Sequence, residues 1–142
     1  MNTLSSQPTG ELVLRTLAMP ADTNANGDIF GGWIMSQMDI GGAILAKEIA
    51  EGRVVTVAVN GITFLKPVAV GDVVCCYARC IQTGRSSLTI KIEVWVKKVS
   101  SAPVGQRYCV TEAIFTYVAV NEESKPRQLP AGKINLKLEE SA

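Results

Sequence analysis

Within the stretch NANGDIFGGWIMSQMDIGG, Asn24 to Gly42, one carboxylate, Asp39, stands among the apolar and small residues that follow Asp28. An acid in such a place is suited to take a proton from water or to attack an electrophilic carbonyl. Histidine is absent from all 142 residues, which excludes Ser-His-Asp and Cys-His catalysis, HExxH metal sites and any imidazole proton transfer. Chemistry is left to carboxylates, amides, hydroxyls and backbone dipoles. The four cysteines do not widen the choice. Cys75 and Cys76 are adjacent, Cys80 follows and Cys109 stands alone, so there is no CxxC pair for zinc or redox work. Their setting, VVCCYARCI, reads as a strand in which cysteine is a small buried hydrophobe. Neither a metal nor a cofactor is expected.

An element must hold Asp39. From Gly32 to about Ala50, Trp33, Met35, Met38, Ala43, Ala46 and Ile49 recur at threes and fours, which predicts a helix stopped by EGR. With 3.6 residues per turn, residues seven apart differ by only about 20° in direction, so Gly32 and Asp39 share a stripe with Ser36, Ala43 and Ala46. Gly31 and Gly32 fall at the helix start, where backbone N–H groups lack partners and the helix dipole is positive. A polarised oxygen fits there, and the small residues admit a thin ligand such as an acyl chain or a pantetheine arm. Plainer readings stand beside these. From spacing alone Asp39 is equally a paired structural carboxylate, the glycine pair a tight strand-to-helix corner, and Asn24 an ordinary turn residue.

The remaining elements read as strands. ELVLRTLAMP, residues 11 to 20, alternates loosely and ends at a proline, and ADTNANGD supplies turn chemistry. RVVTVAVNGITFLKP is rich in β-branched residues, VGDVVCCYARCIQ begins after a Gly-Asp turn, and residues 106–120, QRYCVTEAIFTYVAV, form a last long strand. SLTIKIEVWVKKV alternates cleanly: Leu88, Ile90, Ile92, Val94 and Val96 face one way, and Thr89, Lys91, Glu93, Trp95 and Lys97 the other. Trp95, on the polar face, is expected at a subunit interface. QTGRS carries a Gly-containing hairpin signal. One apolar helix followed by long strands buries its surfaces only if an antiparallel sheet curls around it, an α+β architecture.

Composition bounds the rest. A chain of 142 residues, 47% hydrophobic and 19% charged, is one folded domain, too apolar for disorder and without the run of about 20 apolar residues that a membrane span needs. Residues 1–10 read as a flexible lead-in, 11–130 as the domain and 131–142 as a tail, where GKINLKLEESA either frays or forms a short helix. MNTLSSQPTG has neither a basic start nor an apolar core, so no secretory signal is visible and a cytoplasmic location is expected. A net charge of +1 and the lack of a basic, aromatic-studded face disfavour nucleic-acid binding. Membrane association is not expected either.

Taken together, LAMPADTNANGDIFGGWIMSQMDIGGAILAKEIA, RVVTVAVNGITFLKPVAVGDVV and IEVWVKK resemble the YciA-type acyl-CoA thioesterases over about residues 10 to 130. The order of elements, the FGG corner, the Asp on the helix and the FLKPVAVGD strand end all agree. The resemblance implies a hotdog fold, in which a long antiparallel sheet wraps one central helix and subunits pair through their sheets. It also implies assembly of such homodimers into a homohexamer, a trimer of dimers, and hydrolysis of acyl-CoA to a free carboxylic acid and coenzyme A. On it, Asp39 is the catalytic carboxylate and Gly32 the oxyanion donor, and Asn24 matches an active-site amide of related cytosolic acyl-CoA hydrolases. Many hotdog relatives carry His before the glycine pair. Here the residue is Phe30, expected to pack with Gly31 against the acyl group.

Hydrolysis needs a base for water and donors for the carbonyl oxygen, roles that Asp39 and the Gly32 N–H can fill. On one helix the two are about 10 Å apart at 1.5 Å per residue, too far to touch one carbonyl centre. The site is therefore expected to be shared, with Gly32 of one subunit working with Asp39 of its partner and Asn24 assisting that aspartate by holding water or substrate. Coenzyme A phosphates call for basic groups at the mouth. Arg85 with Ser86, and Lys97 with Lys98, are the candidates, ahead of Arg53, Lys66 and Arg107; each also reads as a solvated surface charge. A non-catalytic acyl-CoA binding or sensing module on the same fold is the alternative. A hotdog dehydratase, which uses an Asp/His pair, is disfavoured by the absence of histidine.

Overall fold

The computed structural model describes residues 7–132. The first part of the lead-in, residues 1–6, and most of the tail, residues 133–142, lie outside the described residues. The chain opens with strand β1 (Glu11–Leu17), which stops short of residue 20. Pro20, with a fixed φ and no N–H to donate, instead starts a short 3-10 turn, Pro20–Asp22, whose Asp22 carboxylate accepts from the Met19 N–H at 3.1 Å. Helix α1 (Gly31–Ala50) follows and ends at Glu51, which takes the left-handed conformation with φ 57° and returns its N–H to the Lys47 carbonyl. Strands β2 (Val54–Phe64), β3 (Val73–Thr83), β4 (Ser87–Lys97) and β5 (Arg107–Ala119) complete the domain.

These five strands form one antiparallel sheet in the order β1-β3-β4-β5-β2, against which α1 packs. Central β4 keeps the alternation expected of it. Leu88, Ile90, Ile92, Val94 and Val96 are fully buried and join Ile34, Met38, Leu45, Ala46 and Ile49 of α1 in one core. Each large apolar side chain so buried contributes on the order of 1.5–3 kcal/mol. Trp95 departs from expectation, since it is buried within the single chain, where its Nε1–H donates to Glu93 Oε1 at 2.8 Å. Thr9, through its N–H and its hydroxyl, bonds the same carboxylate. All four cysteines are buried and in the thiol form, in keeping with their reading as small hydrophobes.

Two interior glycines let the helix sit close to the sheet. A Cβ at Gly41 would lie 2.9 Å from Val13 Cγ2, and one at Gly42 would lie 2.5 Å from Ile92 Cδ1 and overlap the Tyr117 hydroxyl. Glycine in a helix interior costs about 1 kcal/mol relative to alanine, so close approach is what these positions are used for. The sheet has two edges, β1 and β2, and β2 exposes more large apolar side chains. Each has a neighbour on one side only, and Val55, Val57, Val59 and Phe64 along β2 are exposed. Among the described residues no helix is long and apolar enough to cross a membrane.

Candidate active site

The start of α1 is built to leave its amides open. Phe30 is the N-cap and makes no side-chain capping bond, since an aromatic ring cannot accept the orphan N–H groups. Its carbonyl accepts from Trp33 N and Ile34 N, at 3.1 and 3.3 Å, leaving Gly31 and Gly32 as the residues whose N–H groups point out of the first turn. The two glycines are not equivalent. A Cβ at Gly31 would meet the Phe64 ring at 3.3 Å, whereas one at Gly32 would meet nothing within 4 Å. Packing within the chain therefore does not call for glycine at position 32.

Two turns further along, Asp39 is half-buried and held by hydroxyls. The Thr56 hydroxyl donates to Asp39 Oδ1 at 2.6 Å, and the Tyr117 hydroxyl shares its one proton between the Asp39 carbonyl at 2.9 Å and Oδ1 at 3.2 Å. Thr56 and Tyr117 stand opposite each other in the β2–β5 ladder. Burial first, then the Asp39 carboxylate, push the Tyr117 phenol well above its usual range, so it stays a donor at neutral pH. Among the described residues Asp39 makes no ion pair. Sequence reasoning missed both hydroxyl residues. The available signal was Tyr117 itself, since alternation along its strand buries it beside Phe115, and a buried phenol needs an acceptor.

Asn24 sits in the loop leading to α1. Its Oδ1 accepts from Asn26 N at 2.8 Å and Asp28 N at 3.1 Å, an Asx turn that shapes the approach to the glycine pair. The turn uses the amide oxygen, so the Nδ2 donors are the part a ligand could engage. No in-chain contact joins Asn24 to Asp39 among the described residues.

Beside Gly31 an apolar cleft of about 380 Å³ is lined by Ile29, Ile34, Phe64, Leu65 and Val68. Phe30, predicted to line the acyl path, is itself exposed. An adjoining cleft of about 320 Å³ shares Lys66, Pro67 and Val68 and adds Asp28, Lys98 and Tyr108. There the Lys66 and Lys98 ammonium groups lie 5.0 and 5.9 Å from the Tyr108 ring centre. Lys98 also pairs with buried Asp72 at 3.3 Å; desolvation works against its charge, but the Asp72 carboxylate and the Tyr108 phenol together outweigh that and hold it above the usual lysine range. The basic candidates thus divide. Arg85 and Ser86 occupy the β3–β4 turn, and Lys97 and Lys98 the far end of β4, about 33 Å away at 3.3 Å per residue. One chain cannot bring all four to one phosphate. Arg53 is spent on the carbonyls of Asn121 and Glu122 and the hydroxyl of Ser124. Among the described residues no group of three or more Cys, Asp or Glu is placed to hold a metal ion.

Comparison with known proteins gives consistent likenesses. Residues 26–102 match the profile of the Thioesterase superfamily. The acyl-CoA thioester hydrolase YciA of Escherichia coli strain K12 is 76% identical over 130 residues, which cover 92% of this chain and 98% of that protein. The crystal structure of a hexameric thioesterase from Yersinia pestis is 82% identical with a TM-score of 0.85, covering 88% of this chain and all of that one. A hexameric hotdog fold thioesterase of Campylobacter jejuni is 38% identical with a TM-score of 0.83, covering 94% of this chain and 98% of that one. With likeness of this extent in sequence and in fold, the chain belongs to the thioesterase superfamily and, within it, to the YciA-type acyl-CoA thioesterases with the hotdog fold.

Proposed function

We propose that this chain hydrolyses acyl-CoA thioesters, with Asp39 as the base that activates water and the Gly32 N–H, at the start of α1 in the partner subunit, holding the carbonyl oxygen. The observation that carries this reading is the state of Asp39: its carboxylate is held by two neutral hydroxyls and, among the described residues, is not neutralised by a cation, so its charge is available to a water. Asp39 takes a proton as the water oxygen attacks the acyl carbon. The C–S bond then breaks, the proton passes to the departing sulfur, and the products are a carboxylic acid and coenzyme A. Negative charge on the carbonyl oxygen in between meets the open amides of Gly31 and Gly32 and the positive end of α1.

Helix geometry supports a shared site. Gly32 and Asp39 of one chain are separated by about 10 Å along α1, and β2, beside Asp39 through Thr56, is an open apolar edge of the sheet. Pairing two copies through β2 continues the sheet and covers Val55, Val57 and Val59. We take these dimers to assemble as a trimer of dimers, in line with the hexameric state of the relatives named above. Asn24, on the loop that sets Gly32 in place, offers its Nδ2 donors to the substrate or water, and Phe30 and Gly31 flank the acyl group. The cleft bearing Lys66 and Lys98 adjoins this path and suits the coenzyme A phosphates, with Lys97 next to Lys98 in the chain; Arg85 and Ser86, at the other end of β4, serve a site completed by another subunit. Four cysteines in the thiol form accord with a reducing, cytoplasmic setting.

The test is a chain-length series of acyl-CoA substrates, followed through the released thiol. Wild type is expected to turn over and Asp39→Ala to lose at least about 100-fold in kcat, the usual contribution of a positioned base. Binding of acyl-CoA without turnover by wild type would show a sensing module instead.

A further inference from the structure

We infer that Thr56 and Tyr117 are positioning residues that tie one oxygen of Asp39, Oδ1, and leave the other, Oδ2, as the atom that meets water; this rests on the reading of Asp39 as the base. An unrestrained aspartate turns about its last torsion and presents either oxygen in many directions. Here both hydroxyls converge on the same atom: Thr56 Oγ1 lies 2.6 Å and Tyr117 Oη 3.2 Å from Oδ1. Tyr117 shares the same proton with the carbonyl of Asp39 at 2.9 Å, so one phenol ties the side chain to its own backbone. Among the described residues Oδ2 accepts no hydrogen bond.

One donor is fixed by burial, and the other, exposed in the single chain, by its strand. Tyr117 is fully buried and stacked on Phe115, with ring centres 6.2 Å apart at 17°. Thr56 is β-branched, with few χ1 choices, and sits opposite Tyr117 in the ladder. Immediately after Thr56 the register shifts, so that Val57 is an extra residue and Ala58 pairs with Thr116. Bulges of this kind re-aim side chains beside active sites. Gly42 completes the arrangement, because a Cβ there would overlap the Tyr117 hydroxyl and push it off Asp39. Helix, bulge and buried ring together hold a carboxylate in one orientation before substrate arrives, and fixing a reacting group in this way lowers the barrier without adding any contact to the substrate.

The experiment compares kcat, KM and Tm for Thr56→Val, Thr56→Ser, Tyr117→Phe and Asp39→Ala with acyl-CoA. Thr56→Val, which keeps the shape and loses the hydroxyl, and Tyr117→Phe are each expected to lower kcat about 10-fold or more while KM stays within about twofold, the loss a misaimed group causes. Thr56→Ser, which keeps the donor, is expected to recover most of that loss. Because both hydroxyls act on one oxygen, the double variant should lose less than the product of the single losses. Wild-type kcat in Thr56→Val and Tyr117→Phe, with Asp39→Ala inactive, overturns the positioning role and leaves the base intact. Equal impairment of the Val and Ser variants with a lowered Tm also overturns it, as a purely structural role. Full activity of Asp39→Ala overturns the reading of the base on which it rests.

Discussion

Substituting Gly32 by alanine should raise stability and lower activity together. Within the chain the added methyl meets nothing within 4 Å, so no strain offsets the gain in helix propensity. That gain is about 1 kcal/mol in a helix interior and, so near the helix start, roughly half as much, which for a domain of this size raises Tm by about 1–3 °C. Activity should move the other way. If the carbonyl oxygen docks on the Gly32 N–H, a methyl beside that amide holds the thioester away by about 1 Å, and a displacement of that size costs about 100-fold in kcat. The upper bound is loss of the donor altogether, about 3–4 kcal/mol. Calorimetry and thiol-release kinetics on the same preparation, at matched protein concentration, check both signs at once. A fall in Tm with kcat unchanged would refute the reasoning, because it would make Gly32 a packing glycine against another backbone and not a place for substrate.

Other outcomes follow from the same geometry. Gly42→Ala forces a methyl to within 2.5 Å of Ile92 Cδ1 and onto the Tyr117 hydroxyl, and should destabilise the fold by about 1–3 kcal/mol in urea titrations, with kcat reduced as well. Lys66→Ala, which removes the cation 5.0 Å from the Tyr108 ring centre, should raise KM for acyl-CoA several-fold, with a larger effect at low ionic strength than at high. Burial, helped by Cys75, pushes the Cys76 thiol up to about 12, and burial, then Glu93, pushes Cys109 up to about 11, from an ordinary value of 9.0. Neutral thiols in the folded state, set against thiols that ionise near 9 in the unfolded chain, contribute stability that is complete below pH 9 and lost as pH rises toward 11 and 12. Denaturant midpoints between pH 8 and 11 should therefore fall only at the alkaline end, and native protein at pH 8 should react slowly with thiol reagents.

Much of this was legible in the residues. The threes-and-fours spacing of Met38, Ala46 and Ile49 marks α1 to within one residue of its observed start, and the clean alternation of β4 shows which of its faces is buried. The FGG corner shows as glycines where a helix begins, though only the structure separates Gly31, against Phe64, from Gly32, against open space. Thr56 was not legible because bulges in β2, between Thr56 and Ala58 and between Asn60 and Thr63, break the two-residue period by which a strand's faces are read. Trp95 misled for a related reason. It lies on the face with Thr89 and Lys91, where polar neighbours suggest exposure, yet its ring N–H finds Glu93 and the pair is buried. The division of the basic residues between the two ends of β4 follows from strand length and appears once the hairpin is drawn.

The central claim is that each site takes Asp39 from one subunit and Gly32 from the other. Mixed oligomers of Asp39→Ala subunits and subunits disabled at Gly32 by a bulky substitution, each inactive alone, test it directly. In randomly paired dimers half are mixed and each mixed dimer holds one intact site of two, so about one quarter of wild-type activity should return. Mixtures that stay as inactive as their parents, with subunit exchange verified by mass, would contradict the shared site.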